Sequence, residues 1–169
     1  MPTSTAGKSN NRGFTLLELT IVIALLGLFA LVALPLLGNF GESGLKRSAR
    51  QLAGVTRHLF NEAALTGKEH RLVFDPGNGS YRALVREGNG ELVTTGKRDK
   101  MELAAGVRFR DIQQPGSGTG GGEVITRIYP VGWMQETVLH LTDTAGEVMT
   151  LRLMPFTGTT EIYTEYREF

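Results

Sequence analysis

The sequence predicts an α+β fold: one long N-terminal helix, apolar in its first half and amphipathic in its second, packed on an antiparallel β-sheet domain. Three observations predict it. No side chain from Leu19 to Leu37 is charged. A helical stripe of apolar residues resumes after Gly44, and from His70 onward the pattern changes to short alternating segments separated by turn residues. The 169 residues suit one compact domain plus an appendage. Cysteine is absent, which excludes disulfides and thiolate metal sites. The formal net charge of +1 gives no global sign of a nucleic-acid partner, and 22 glycines fit a loop-rich β domain better than a helical bundle.

Residues 1–13, MPTSTAGKSNNRG, are polar, and Lys8 and Arg12 are their only charges. The apolar run that follows spans roughly 28 Å as a helix, about the thickness of a bilayer's hydrocarbon core. A soluble domain of this size rarely buries a helix that is apolar all round, so residues 14–37 read as a single-pass membrane helix. The basic residues before it assign that end to the cytoplasm and the remainder to the other side. In an ordinary secretory signal the apolar run precedes a small-residue cleavage site. Here the glycine-ended basic segment precedes the run instead.

Gly13-Phe14-Thr15-Leu16-Leu17-Glu18 resembles the prepilin motif of type IV pilins and type II secretion pseudopilins. The resemblance implies that prepilin peptidase removes residues 1–13 by cutting between Gly13 and Phe14. It also implies N-methylation of Phe14, a helix-bending role for Pro35, and an assembly role for Glu18, the fifth residue of the mature chain. A carboxylate in an apolar helix costs roughly 2.5–3.5 kcal/mol on insertion scales, and a cation offsets that cost. The resemblance names the cation: the α-amino group of a neighbouring subunit's Phe14. The plain alternative is a boundary glutamate reaching back to the headgroups.

Pro35, Gly38, Gly41 and Gly44 cluster within ten residues, so the helix is expected to bend or melt over 35–44. The segment 38–67 reads as an amphipathic helix, with Leu45, Ala49, Leu52, Thr56, Leu59, Phe60 and Ala63 on one stripe and an end near Thr66-Gly67. Residues 68–169 read as the β domain, with strands at Arg71–Phe74, Tyr81–Arg86, Val107–Asp111, Val124–Tyr129, Thr137–Leu141, Val148–Leu153 and Glu161–Tyr163 in one sheet. A Gly-rich loop occupies residues 115–122.

The helix with Ala49, Leu52 and Ala63-Ala64, the R-L-V-F-D strand and the closing L-x-L-x-P-x-T-G-x-x-E-I pattern look like minor pseudopilins of the GspH/FimT type. That implies a pilin-like fold, an inner-membrane anchor, a periplasmic head, and incorporation into a filament. The implied partners are prepilin peptidase, other pseudopilins or pilins, and secreted protein cargo. The alternative is a minor pilin of a type IV pilus, including its DNA-uptake version, which a basic patch would mark. Residues 45–110 hold thirteen Lys and Arg against seven Asp and Glu, whereas residues 111–169 hold three against eight. This asymmetry fits either subunit registration or two faces of one fold neutralising each other. The acidic C-terminal part weighs against nucleic acid, although Lys97, Arg98, Lys100, Arg108 and Arg110 lie close together in sequence.

Other constellations carry no chemistry. Gly116–Gly121 matches G-x-G-x-x-G but lacks the strand-before, helix-after context of a dinucleotide site. His58 and Glu62, one turn apart, read as a surface pair rather than metal ligands. His70 and His140 have no partner at metal-ligand spacing, and no nucleophile is assembled with a base. Neither enzymatic activity nor a metal or other cofactor is expected. Trp133 reads as an interface anchor or as a cap on the sheet core.

Overall fold

The computed structural model describes residues 15–37, 43–95, 100–115 and 122–169, with the side chains of residues 30–37 outside that description. Two compact units, Met1–Gly41 and Glu42–Phe169, make up the chain.

In the first unit, α1 runs from Leu16 to Leu37. Thr15 starts it: the Glu18 N–H donates to Thr15 Oγ1 at 3.2 Å and the Leu19 N–H to the Thr15 carbonyl at 3.2 Å. The first of these satisfies a donor that the first turn cannot bond internally, and the second opens the helical ladder. Thr20 Oγ1 donates to the carbonyls of Leu16 (3.1 Å) and Leu17 (2.8 Å), so this polar group is satisfied within its own helix. Pro35 lies in the last turn of α1, and residues 38–42, the middle of the stretch expected to bend, lie outside the described residues.

In the second unit, α2 (Gly44–Thr66) begins at Ser43, whose Oγ accepts from the Lys46 N–H at 3.4 Å. It ends at Gly67, which has φ 69° and donates to the Ala63 carbonyl at 3.0 Å. That left-handed backbone favours glycine, so the helix stops there for a steric reason.

The strands are β1 (His70–Asp75), β2 (Ser80–Arg86), β3 (Leu92–Thr94), β4 (Met101–Glu102), β5 (Arg108–Gln113), β6 (Val124–Tyr129), β7 (Trp133–Met134), β8 (Thr137–Thr142), β9 (Val148–Leu153) and β10 (Thr160–Tyr163). They form two antiparallel sheets rather than the single one expected. The first has the order β3-β2-β1-β6-β7, with β4 also paired to β2; the second has the order β10-β9-β8-β5. Alternation marks where strands lie but not which strands pair, and that is why the division is invisible in sequence. Segments β3, β4 and β7 are two or three residues long, too short to show a period.

Helix α2 packs on both sheets. Leu45, Ala49, Leu52, Leu59 and Ala63 share one core with Leu72, Phe74 and Ile128 of the first sheet and Leu139, Leu151 and Leu153 of the second. Each fully buried leucine or isoleucine contributes about 1.5–3 kcal/mol relative to exposure. Phe60 is half-buried at the border of the stripe instead of within it. Ser48 takes a buried place, where its Oγ accepts from the Ala104 N–H at 3.0 Å. Behind the core, the hydroxyls of Thr126 on β6 and Thr137 on β8 meet at 2.6 Å with both residues fully buried. Gln114 Nε2 donates to both hydroxyls (3.3 and 3.0 Å) and to the Ile125 carbonyl (3.0 Å), tying the two sheets together.

Candidate functional site

Every described side chain of α1, from Leu16 to Phe29, is exposed. Leu16, Leu17, Leu19, Ile21, Val22, Ile23, Leu25, Leu26, Leu28 and Phe29 therefore present apolar surface around the whole circumference, with Glu18 the single charge among them. Such a helix has no polar face to give to water, so it needs lipid or other apolar helices around it. Among the described residues, no helix is long and apolar enough to cross a membrane. In sequence the uncharged run extends beyond Phe29 to Leu37.

Glu18 sits in the first turn of α1, where a negative charge complements the helix dipole. Its side chain has no ion-pair partner among the described residues. Gly13 and Phe14, the expected cleavage and methylation positions, lie outside the described residues. The same holds for residues 116–121 of the Gly-rich loop.

Trp133 lies on β7, an edge strand, and is 38% exposed. Its ring stacks on Tyr129 at 5.1 Å between centroids, because Tyr129 and Trp133 are direct cross-strand partners. Together they line a groove of about 920 Å³ that also receives Ile125, Arg127, Gln114 and Phe156. Trp133 is thus part-exposed at the sheet edge, while its neighbour Met134 fills the core. Tyr129 and Phe156 were not singled out by the sequence; the alternation of β6, which puts Ile125, Arg127 and Tyr129 on one face, was the available signal. His58 and Glu62 make no bond to each other, and no group of three or more His, Asp or Glu side chains among the described residues could hold a metal ion.

A partly buried ion pair, Glu69 with Arg71, and a more exposed one, Glu69 with Arg86, lie at the margin of the first sheet. Burial raises the Glu69 carboxyl's affinity for a proton, but Arg71 (2.8 Å) and Arg86 (3.4 Å) outweigh it and hold the group below its ordinary value. Within the core, burial pushes the Tyr81 phenol up to about 12, and its hydroxyl has no hydrogen-bond partner.

Comparison with known proteins matches residues 8–34 to the prokaryotic N-terminal methylation motif. Curated protein sequences give no match. Among solved structures, the minor pseudopilin EpsH of the Vibrio cholerae type II secretion system superposes with a TM-score of 0.60 at 14% identity, covering 75% of this chain and 97% of that one. A second EpsH structure gives 0.58 at 14% identity, over 72% and 98%. The solution structure of Escherichia coli GspH gives 0.54 at 13% identity, over 72% and 88%. This chain thus joins a prokaryotic N-terminal methylation motif to a head that shares the fold of those solved minor pseudopilins.

Proposed function

We propose that the chain is a minor pseudopilin of a type II secretion system. Prepilin peptidase cuts it between Gly13 and Phe14, Phe14 is N-methylated, and α1 with the residues before it carries the chain first in the bacterial inner membrane and then in a filament. The head lies in the periplasm and meets other pseudopilins or secreted protein cargo; Trp133 is one of its contact residues. Its role is structural rather than catalytic. The observation that carries this reading is the pairing, on one chain, of a methylation motif at residues 8–34 with a head whose fold resembles that of a minor pseudopilin. A type IV pilus subunit is the weaker alternative, since EpsH and GspH share the fold of this head.

The test is intact-mass analysis of the membrane form, made in a host with prepilin peptidase. The expected species lacks residues 1–13 and carries one added methyl group. A mature chain beginning after residue 38 would mean an ordinary cleaved signal and would defeat the proposal.

A further inference from the structure

The outer face of the second sheet, opposite α2, is covered by the chain itself. After β10, residues 164–169 turn back across β8 and β9. Thr150 Oγ1 donates to the Glu165 carbonyl at 2.6 Å and accepts from the Arg167 N–H at 3.0 Å. Tyr166 stacks on His140 at 4.1 Å, and Arg152 stands over Phe169 at 4.4 Å. This strap explains why all six residues of β8 are buried although α2 covers only one face.

Beneath the strap lies His140, with no exposed surface. Its Nδ1 is 2.6 Å from Asp111 Oδ1 and its Nε2 is 2.8 Å from the Arg167 carbonyl. A carbonyl oxygen can only accept, and so can a carboxylate. Neutral imidazole has one N–H and cannot serve two acceptors. Both bonds form only if the His140–Asp111 pair holds one proton more than a neutral imidazole beside a carboxylate. It does so as imidazolium with carboxylate, or as imidazole with carboxylic acid; the count is the same.

The pair is built by a β-bulge. The register of β5 on β8 slips between Phe109 and Asp111, so Phe109 opposes Leu141, Asp111 opposes His140 and Ile112 opposes Leu139. The slip lets Phe109 and Ile112 both face the core while Asp111 is turned outward under the strap. Arg110, in the bulge, reaches over the Tyr166 ring at 4.8 Å.

We propose that residues 164–169 form a pH-sensitive strap, latched by the one proton that His140 and Asp111 share and released when it is lost. The charged and titratable groups facing the latch are Asp111 and Arg110 from β5, Arg152 from β9, Tyr163 from β10, and Glu165, Tyr166 and Arg167 from the strap; β8 adds none besides His140. Arg152 is engaged by Glu136 at 2.6 Å and Arg167 by Glu165 at 2.7 Å, so neither is a substitute donor for the Arg167 carbonyl. When the proton leaves, one ring nitrogen faces an acceptor with no hydrogen between them. The strap then loses a bond at its centre and the outer face of β8 and β9 opens to neighbours.

The experiment is hydrogen exchange of the full chain in detergent micelles, at about pH 5.5 and about pH 8.5, corrected for intrinsic amide chemistry. Loss of one buried hydrogen bond corresponds to roughly a tenfold loss of protection over residues 164–169 at the higher pH. Protection of β8 itself should stay constant, so global unfolding is excluded. The deciding variant is Asp111→Asn. An amide can donate to a bare Nδ1 while Nε2–H serves the Arg167 carbonyl, so neutral His140 satisfies both partners and protection becomes independent of pH. Equal protection of the wild-type strap at both pH values would overturn the proposal. The same pH dependence in Asp111→Asn as in wild type would do so as well. Neither readout depends on processing or filament assembly.

Discussion

Phe60 of α2 occupies the space that a side chain at position 158 would need: a Cβ built on Gly158 would stand 2.6 Å from Phe60 Cβ. Gly158 also has φ 63°, a backbone that other residues rarely adopt. One turn earlier on the helix, Arg57 Nη1 donates to the Thr157 carbonyl at 3.1 Å, so the Thr157-Gly158 corner is fastened to α2 from two positions. The T-G step of the closing sequence pattern is thereby a docking point between the helix and the link from β9 to β10.

Gly158→Ala should destabilise the head by about 2–4 kcal/mol, combining overpacking with a strained backbone. Phe60→Ala opens space at the same place and should cost about 2–4 kcal/mol. Urea denaturation of each variant measures this. In the double variant the overpacking part should be relieved, giving less than the sum; strict additivity would show that the two positions do not touch.

Glu18→Ala should leave membrane insertion and cleavage intact, because removing a charge from an apolar helix eases insertion. Co-purification with partner subunits, and secretion, should fall. On the proposed reading the interaction lost would be the attraction to the α-amino group of a neighbouring Phe14, which a low-dielectric setting strengthens. Normal assembly of a processed Glu18→Ala chain would mean the carboxylate only reaches for headgroups.

Thr137→Val should cost about 1–3 kcal/mol by leaving the Thr126 hydroxyl short of a partner in a buried setting. Replacing Thr126 and Thr137 together by valine should cost less than the two single changes combined. Thermal denaturation of the three variants measures the coupling, and a zero coupling energy would remove the network as a tie between sheets.

Tyr81→Phe should raise stability by about 1 kcal/mol, because it deletes a buried hydroxyl that no partner satisfies. The same burial delays ionisation: the Tyr81 phenol should resist titration until about pH 12 in the folded chain. An alkaline absorbance titration of wild type against Tyr81→Phe isolates this phenol, and an early ionisation would place it in contact with water.

Glu69 gives the acid side of the stability profile. Its folded proton affinity lies below the unfolded one, so its contribution is present above the ordinary carboxylate range and is lost as the pH falls through the range beneath it. Glu69→Gln should therefore lower the urea midpoint near pH 7 and flatten its decline toward about pH 3. An unchanged acid slope would show that Arg71 and Arg86 do not act on Glu69.

What was legible in the sequence was local. The N-terminal methylation motif is contiguous, so it could be read from sequence alone. The end of α2 could be read because Gly67 supplies its own stop. Strands such as β6 and β9 declared themselves by alternation, and their observed bounds coincide with the segments assigned from it. Pairing was not legible: nothing near β5 says that it leaves the first sheet to join β8. Nor was the latch, since Asp111 and His140 stand 29 positions apart and meet only because a bulge changes the face that Asp111 takes. Phe60 was placed one position too deep, because helical spacing cannot separate the centre of a stripe from its border.

The contact of α2 with both sheets also sets a timetable for folding. The helix is complete by Thr66, while Met149–Leu153, part of the apolar surface it packs against, arrives roughly 80 residues later. At ordinary synthesis rates that is a wait of roughly 4–16 s. Through that interval one flank of the leucine stripe has nothing of its own chain to lie against. Folding of the head is therefore governed by long-range closure, and a chain stalled before β9 would expose a sticky helix to chaperones and proteases.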